Sequence, residues 1–79
     1  MKVKVFVTLK PSILDPQGKA VTGALRTLGY DSVRDVRQGK YFELDVEAET
    51  VAEAETIANE VADKLLANPV IEGYRVEIE

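Results

Sequence analysis

Leu14-Asp15-Pro16-Gln17-Gly18 is the stretch on which the reading of this chain turns. An alternating run ends before it, at Leu9-Lys10-Pro11, and a helical apolar spacing begins after it, at Ala20. Asp15 is placed to accept hydrogen bonds from the free amides of a first helical turn. Pro16 fits the first helical position, where no amide donor is needed. A strand therefore leads through this stretch into a helix.

Before the stretch, Val3, Val5, Val7 and Leu9 recur at period two with Lys2, Lys4, Phe6 and Thr8 opposite, the pattern of a half-buried strand. After it, Ala20, Val21, Ala24, Leu25 and Leu28 follow helical spacing, and Gly29 sits where a left-handed cap would end the helix. Val33 to Gln38 reads as a second strand of poor alternation, an edge or a bulge, closed by a short turn at Gln38-Gly39 in which Gly39 supplies a positive φ. Phe42, Leu44 and Val46 give a third strand, with Tyr41, Glu43, Asp45 and Glu47 opposite.

Thr50-Val51-Ala52-Glu53 has the form of a capping box. The helix it opens carries a stripe of Val51, Ala54, Ile57, Ala58, Val61, Ala62, Leu65 and Leu66, and Asn68-Pro69 stops it. Tyr74, Val76 and Ile78 then mark a last strand, with Arg75, Glu77 and Glu79 on its other face. The order strand-helix-strand, strand-helix-strand predicts an α+β, ferredoxin-like βαββαβ sandwich: a four-stranded antiparallel sheet with both helices on one face. Residues 1–79 form a single domain in this reading. The first and third strands are expected side by side, setting Lys2 and Lys4 near Glu43, Asp45 and Glu47. The outer sheet face has nothing in the chain to cover it, and Phe6 and Tyr41 are its apolar members, either exposed aromatics or anchors for a dimer or another partner.

Composition limits the chemistry. The chain has no cysteine and no histidine, which removes disulfides, thiolate metal sites and the commonest general base. Ser12 and Ser32 have no histidine to activate them, so catalysis by this chain alone is not expected and no metal site is predicted. A chain of 79 residues buries only about 60% of the surface it exposes when unfolded, and such small cores gain from association. Residues 1–40 hold eight Lys/Arg against three Asp/Glu, and residues 41–79 hold two against eleven. That polarity either steers docking or spreads over solvated faces. The acidic total, −4, and the lack of an aromatic-basic signature argue against nucleic acid, and no apolar run is long enough for a membrane span. A cytoplasmic location is expected by elimination.

Four segments carry a more specific message: Val5-Phe6-Val7-Thr8-Leu9-Lys10-Pro11, Leu14-Asp15-Pro16-Gln17-Gly18-Lys19-Ala20, Val33-Arg34-Asp35-Val36-Arg37-Gln38-Gly39-Lys40 and Lys64-Leu65-Leu66-Ala67-Asn68-Pro69-Val70-Ile71-Glu72. Together, and essentially end to end, they resemble the PurS family, the small subunits of phosphoribosylformylglycinamidine synthase. The resemblance implies a non-catalytic role in de novo purine biosynthesis, in an ATP-dependent, glutamine-fed C–N ligase that makes formylglycinamidine ribonucleotide from formylglycinamide ribonucleotide. It implies a homodimer or higher homo-oligomer that bridges a PurL-type synthetase subunit and a PurQ-type glutaminase subunit and supports ammonia transfer between them. ATP and Mg would be used by the synthetase partner, with no cofactor in this chain.

Mapped onto that pattern, Asp15, Gln17 and Lys19 at a helix start and Arg37 and Lys40 at a turn are candidate partner contacts. A capped helix and a hairpin compete as plainer accounts. Ile71 falls outside the alternation of the last strand and is expected against another chain. Two other readings use the same element order. An ACT-like small-ligand regulatory domain would need a glycine-rich ligand loop, which Gly18 and Gly29 do not supply. An acylphosphatase-like enzyme would need a phosphate cradle after the first strand, where Pro11 instead removes a backbone donor.

Overall fold

Val3, Val5 and Val7 project from one side of strand β1 (Lys2–Leu9) and are almost wholly buried. The computed structural model describes residues 1–79. β1 is the centre of a three-stranded antiparallel sheet, flanked by β2 (Gly39–Asp45) and β3 (Glu72–Ile78). Its register sets Lys2 opposite Asp45 and Lys4 opposite Glu43, as the alternation predicts. On the other side Val3, Val5 and Val7 face Ile78, Val76 and Tyr74.

Helix α2 (Val51–Val61) lies across the valine row. Ala54, Ala58 and Ala62, spaced four apart on one face, are fully buried, because a side chain of one carbon lets the helix sit flat on branched valines. Thr50 Oγ1 accepts the Glu53 amide at 3.1 Å, but the Glu53 carboxylate takes the Glu49 amide instead of closing the expected box on Thr50. The helix ends in a π-turn, Ala62–Leu66, sealed by the Ala67 amide on the Ala62 carbonyl at 2.9 Å. The extra residue turns Leu65 outward and Leu66 toward the core, and Val51 is exposed at the first turn. Val51 and Leu65 are thus not part of the buried stripe their spacing suggests.

The four-stranded sheet is the main departure. Residues 33–38 form no strand and pair with none; the segment is tied instead to the corner between β1 and the first helix. The Gln38 amide donates to Asp15, and the Arg37 guanidinium caps carbonyls of Leu9, Lys10 and Ile13. Gly39 belongs to β2 and has no positive φ; only Gly29 does, at 95°. What Gly39 provides is room, since a Cβ there would collide with the Val7 carbonyl.

The second departure follows from the first. Three strands span two spacings of about 4.8 Å, a face about one helix wide. With α2 in place, α1 (Pro16–Thr27) contributes no residue to the core and projects away, which makes the molecule 49 × 25 × 13 Å. The two helices therefore do not share one face. Val21 and Leu28 of the α1 stripe are exposed, at 40% and 72%. Gly29 ends the helix as predicted: its amide reaches the Arg26 carbonyl and the Tyr30 amide reaches Leu25.

Candidate functional site

The corner where β1 runs into α1 holds most of the residues singled out by sequence. Asp15 is only 4% exposed, yet its carboxylate is fully engaged. Oδ1 accepts the Gly18 amide at 2.9 Å and caps α1, while Oδ2 accepts the Gln38 amide at 2.8 Å. These amides, Gly18 first and then Gln38, hold its carboxyl below the usual carboxylate range, helped by the nearby Arg37. A Cβ on Gly18 would strike the Val36 carbonyl, so glycine lets residues 33–38 cross close over the helix start.

Arg37 spreads over the loop from the other side, at 3.3 Å from the carbonyls of Leu9 and Ile13 and 3.1 Å from that of Lys10. Two shallow recesses flank Asp15. One, of about 330 Å³, includes Ile13, Lys19, Asp35 and Arg37 in its wall. The other, of about 260 Å³, includes Gln17, Gln38, Lys40 and Glu72. Lys40 pairs with Glu72 at 3.5 Å, and Glu72 also accepts the Asn68 amide. Asp15, Gln17, Lys19, Arg37 and Lys40 are therefore one neighbourhood, although up to 25 positions separate them. Ile71 borders it through its carbonyl, which takes the Lys10 amide at 2.8 Å.

Phe6 and Tyr41 lie on the outward sheet face, with ring centroids 5.1 Å apart. Arg75, opposite Phe6 in the ladder, sets its guanidinium 4.5 Å from the Phe6 ring centre. Tyr41 Oη donates to Glu43 at 3.2 Å, and burial followed by the Glu43 charge pushes its phenol up. Around them Lys2 meets Asp45, and Lys4 meets Glu79, which raises the Lys4 ammonium. The face is laced with ion pairs around a small aromatic centre.

Sequence reasoning missed Glu72 and Gln38 as members of the corner and Arg75 as the lid on Phe6. The β3 register would have given Arg75, since it is the ladder partner of Phe6. It also missed a groove of about 450 Å³ between β2 and α2, floored by Leu44, Val46, Ile57 and Val61 and rimmed by Glu43, Asp45 and Glu47. No pattern in one chain announces that groove, because it exists only where α1 is absent. Chemically the corner is a clasp: its one buried acid is fully bonded, and no set of three or more acidic, histidine or cysteine side chains is placed to hold a metal ion. No helix is long and apolar enough to cross a membrane.

The PurS family model, described as phosphoribosylformylglycinamidine (FGAM) synthase, matches residues 2–79. The chain is 53% identical over 78 residues to the phosphoribosylformylglycinamidine synthase subunit PurS of Bacillus subtilis, covering 99% of this chain and 92% of that one. The crystal structure of Methanocaldococcus jannaschii PurS superposes with a TM-score of 0.90 at 35% identity, over 99% of this chain and 94% of the other. A chain in the structure of PurLQS from Thermotoga maritima gives a TM-score of 0.89 at 34% identity, over 96% and 93%.

Proposed function

The chain belongs to the PurS family of phosphoribosylformylglycinamidine synthase, and we propose that within that enzyme it is the small subunit that joins a PurL-type synthetase to a PurQ-type glutaminase. Its place is in purine biosynthesis, as one subunit of a ligase, and it is not catalytic alone. The observation that carries the joining role is the likeness, over nearly the whole of both chains, to a chain of the Thermotoga PurLQS assembly. In this reading ammonia released from glutamine on the glutaminase is used on the synthetase, which holds ATP and Mg and converts formylglycinamide ribonucleotide to formylglycinamidine ribonucleotide. The work is done in the cytoplasm. The end-to-end family match leaves an ACT-like regulatory domain unfavoured.

The joining unit is a homodimer. Support comes from the α1 stripe, with Val21 and Leu28 exposed and Leu25 half-buried, and from the groove floored by Leu44, Val46, Ile57 and Val61, two apolar surfaces that one chain leaves apart. Seating α1 of one protomer in the groove of its partner would complete a second helix layer, so that the ferredoxin-like sandwich becomes a property of the pair. The clasp around Asp15, with Gln17, Lys19, Arg37 and Lys40, and the face bearing Phe6 and Tyr41 are the surfaces offered to the larger subunits.

The test is synthetase activity of the matching large and glutaminase subunits, fed with glutamine or with ammonia, with and without this chain. Glutamine-supported turnover should require the chain, while ammonia-supported turnover should survive its omission. No change in either assay would overturn the joining role.

A further inference from the structure

Gly23 lies in the middle of α1, where glycine is less favourable than any residue but proline, and nothing lies within 4 Å of the place its side chain would occupy. Neither packing nor backbone conformation asks for it. Lys19, Gly23 and Arg26, at positions i, i+4 and i+7, share one face of the helix, opposite the apolar stripe. With Arg34 they line a cleft of about 260 Å³ whose wall is completed by Thr22 and Asp35.

None of the three cations takes part in an ion pair, although Lys2, Lys4, Lys40 and Arg75 all do and acidic residues outnumber basic ones by four in the chain. Asp35 is the single carboxylate in the wall and is bonded to none of them. Thr22 turns its hydroxyl to the Gly18 carbonyl at 2.9 Å and leaves the cleft to the cations. Three like charges held around one opening repel each other, and an anion placed among them relieves that repulsion. A carboxylate carries one charge and is satisfied by one guanidinium. A phosphate group carries up to two charges on oxygens directed to several sides, which suits two guanidinium forks and an ammonium together.

We propose that the cleft between α1 and residues 34–35 is a phosphate-binding site, in which Arg26, Arg34 and Lys19 hold the oxygens and Gly23 lets the group approach the helix. The site stands on the face of α1 that remains open when the apolar stripe is covered, so it does not compete with dimer formation.

The test is titration of the full chain with inorganic phosphate, followed by amide and arginine side-chain NMR, against chloride and acetate at matched ionic strength. Phosphate should give saturable shifts at Thr22, Gly23, Arg26 and Arg34, with half-saturation in the millimolar range, and acetate should not. Arg26→Ala with Arg34→Ala should weaken the response at least tenfold, whereas Lys64→Ala, a cation on another element, should leave it unchanged. Gly23→Ala should weaken phosphate binding several-fold while holding or raising the melting temperature, a combination that a structural role for Gly23 would not give. Non-saturating shifts, an equal response to acetate, or full affinity in the double variant would overturn the proposal, and full affinity in Gly23→Ala would overturn the assigned approach.

Discussion

Asp15 accepts the backbone amide of Gln38 at 2.8 Å across 23 positions of sequence, with the same carboxylate that caps α1. One side chain thereby fixes where α1 starts and where residues 33–38 run. Arg37 clamps the connecting loop from the other side through three carbonyls. This clasp ties down the start of the helix that carries Gln17 and Lys19, a helix that contributes no residue to the core.

Asp15→Ala should therefore do more than remove a cap. It leaves the Gly18 and Gln38 amides without partners at a nearly buried position, and the melting temperature should fall by on the order of 5–10 °C. Asp15→Asn is the informative companion. Its one acceptor oxygen can serve Gly18, but the amide nitrogen then meets the Gln38 N–H donor to donor. Hydrogen exchange should rise at Gln38 in both variants and at Gly18 only in the alanine variant. Equal protection of Gln38 in the asparagine variant and the wild type would show that the long-range bond contributes nothing.

The same carboxylate gives the fold an acid limit. Its pKa in the folded chain lies below the ordinary value of 3.8, so the stabilisation is fully present above that value and is lost as the pH falls through the lower, folded value. Denaturant midpoints measured from about pH 5 down to about pH 2 should fall more steeply for the wild type than for Asp15→Asn. Parallel curves would assign the acid lability to other groups.

The clasp was half legible in the sequence. Asp15-Pro16 announces a helix start through purely local chemistry, and the alternations at Val3-Val5-Val7 and Phe42-Leu44 give the paired strands and their register. What local pattern does not carry is the competition for residues 33–38. Their valines and arginines satisfy a weak strand template, but Asp15 and Gly18, some twenty positions away, draw that segment over the helix start. Once it is drawn off, the sheet has three strands and room for one helix, so the expectation for α1 fails with it.

Gly39 was read for the wrong property. A turn would need its freedom in φ, whereas the strand needs the absence of its Cβ, which would run into the backbone carbonyl of Val7. Gly39→Ala should destabilise the chain by about 1–3 kcal/mol, read from urea midpoints, because the obstacle is backbone in the central strand and has no side-chain rotamer to change. A variant as stable as the wild type would show that β1 and β2 separate there without strain.

The placement of α1 also sets what the dimer should depend on. Leu28 is 72% exposed and Leu25 half-buried, and the groove that would receive them lies between β2 and α2. Within one chain neither leucine touches the valine–alanine core, so Leu28→Asp should leave the intrinsic stability of the monomer within about 0.5 kcal/mol, and Leu25→Asp, at a half-buried helical position, should lower it by about 1 kcal/mol. In the pair each would bury an unpaired carboxylate against Leu44 and Ile57, under a rim already negative with Glu43, Asp45 and Glu47. Sedimentation equilibrium should show both variants as monomers at concentrations where the wild type is dimeric, and Ile57→Asp, changed on the receiving side, should do the same. If α1 variants dissociate the pair and the groove variant does not, the stripe is buried elsewhere on the partner. If none of the three dissociates it, the outward sheet face around Phe6 and Tyr41 is the contact, and Phe6→Asp should then break the dimer.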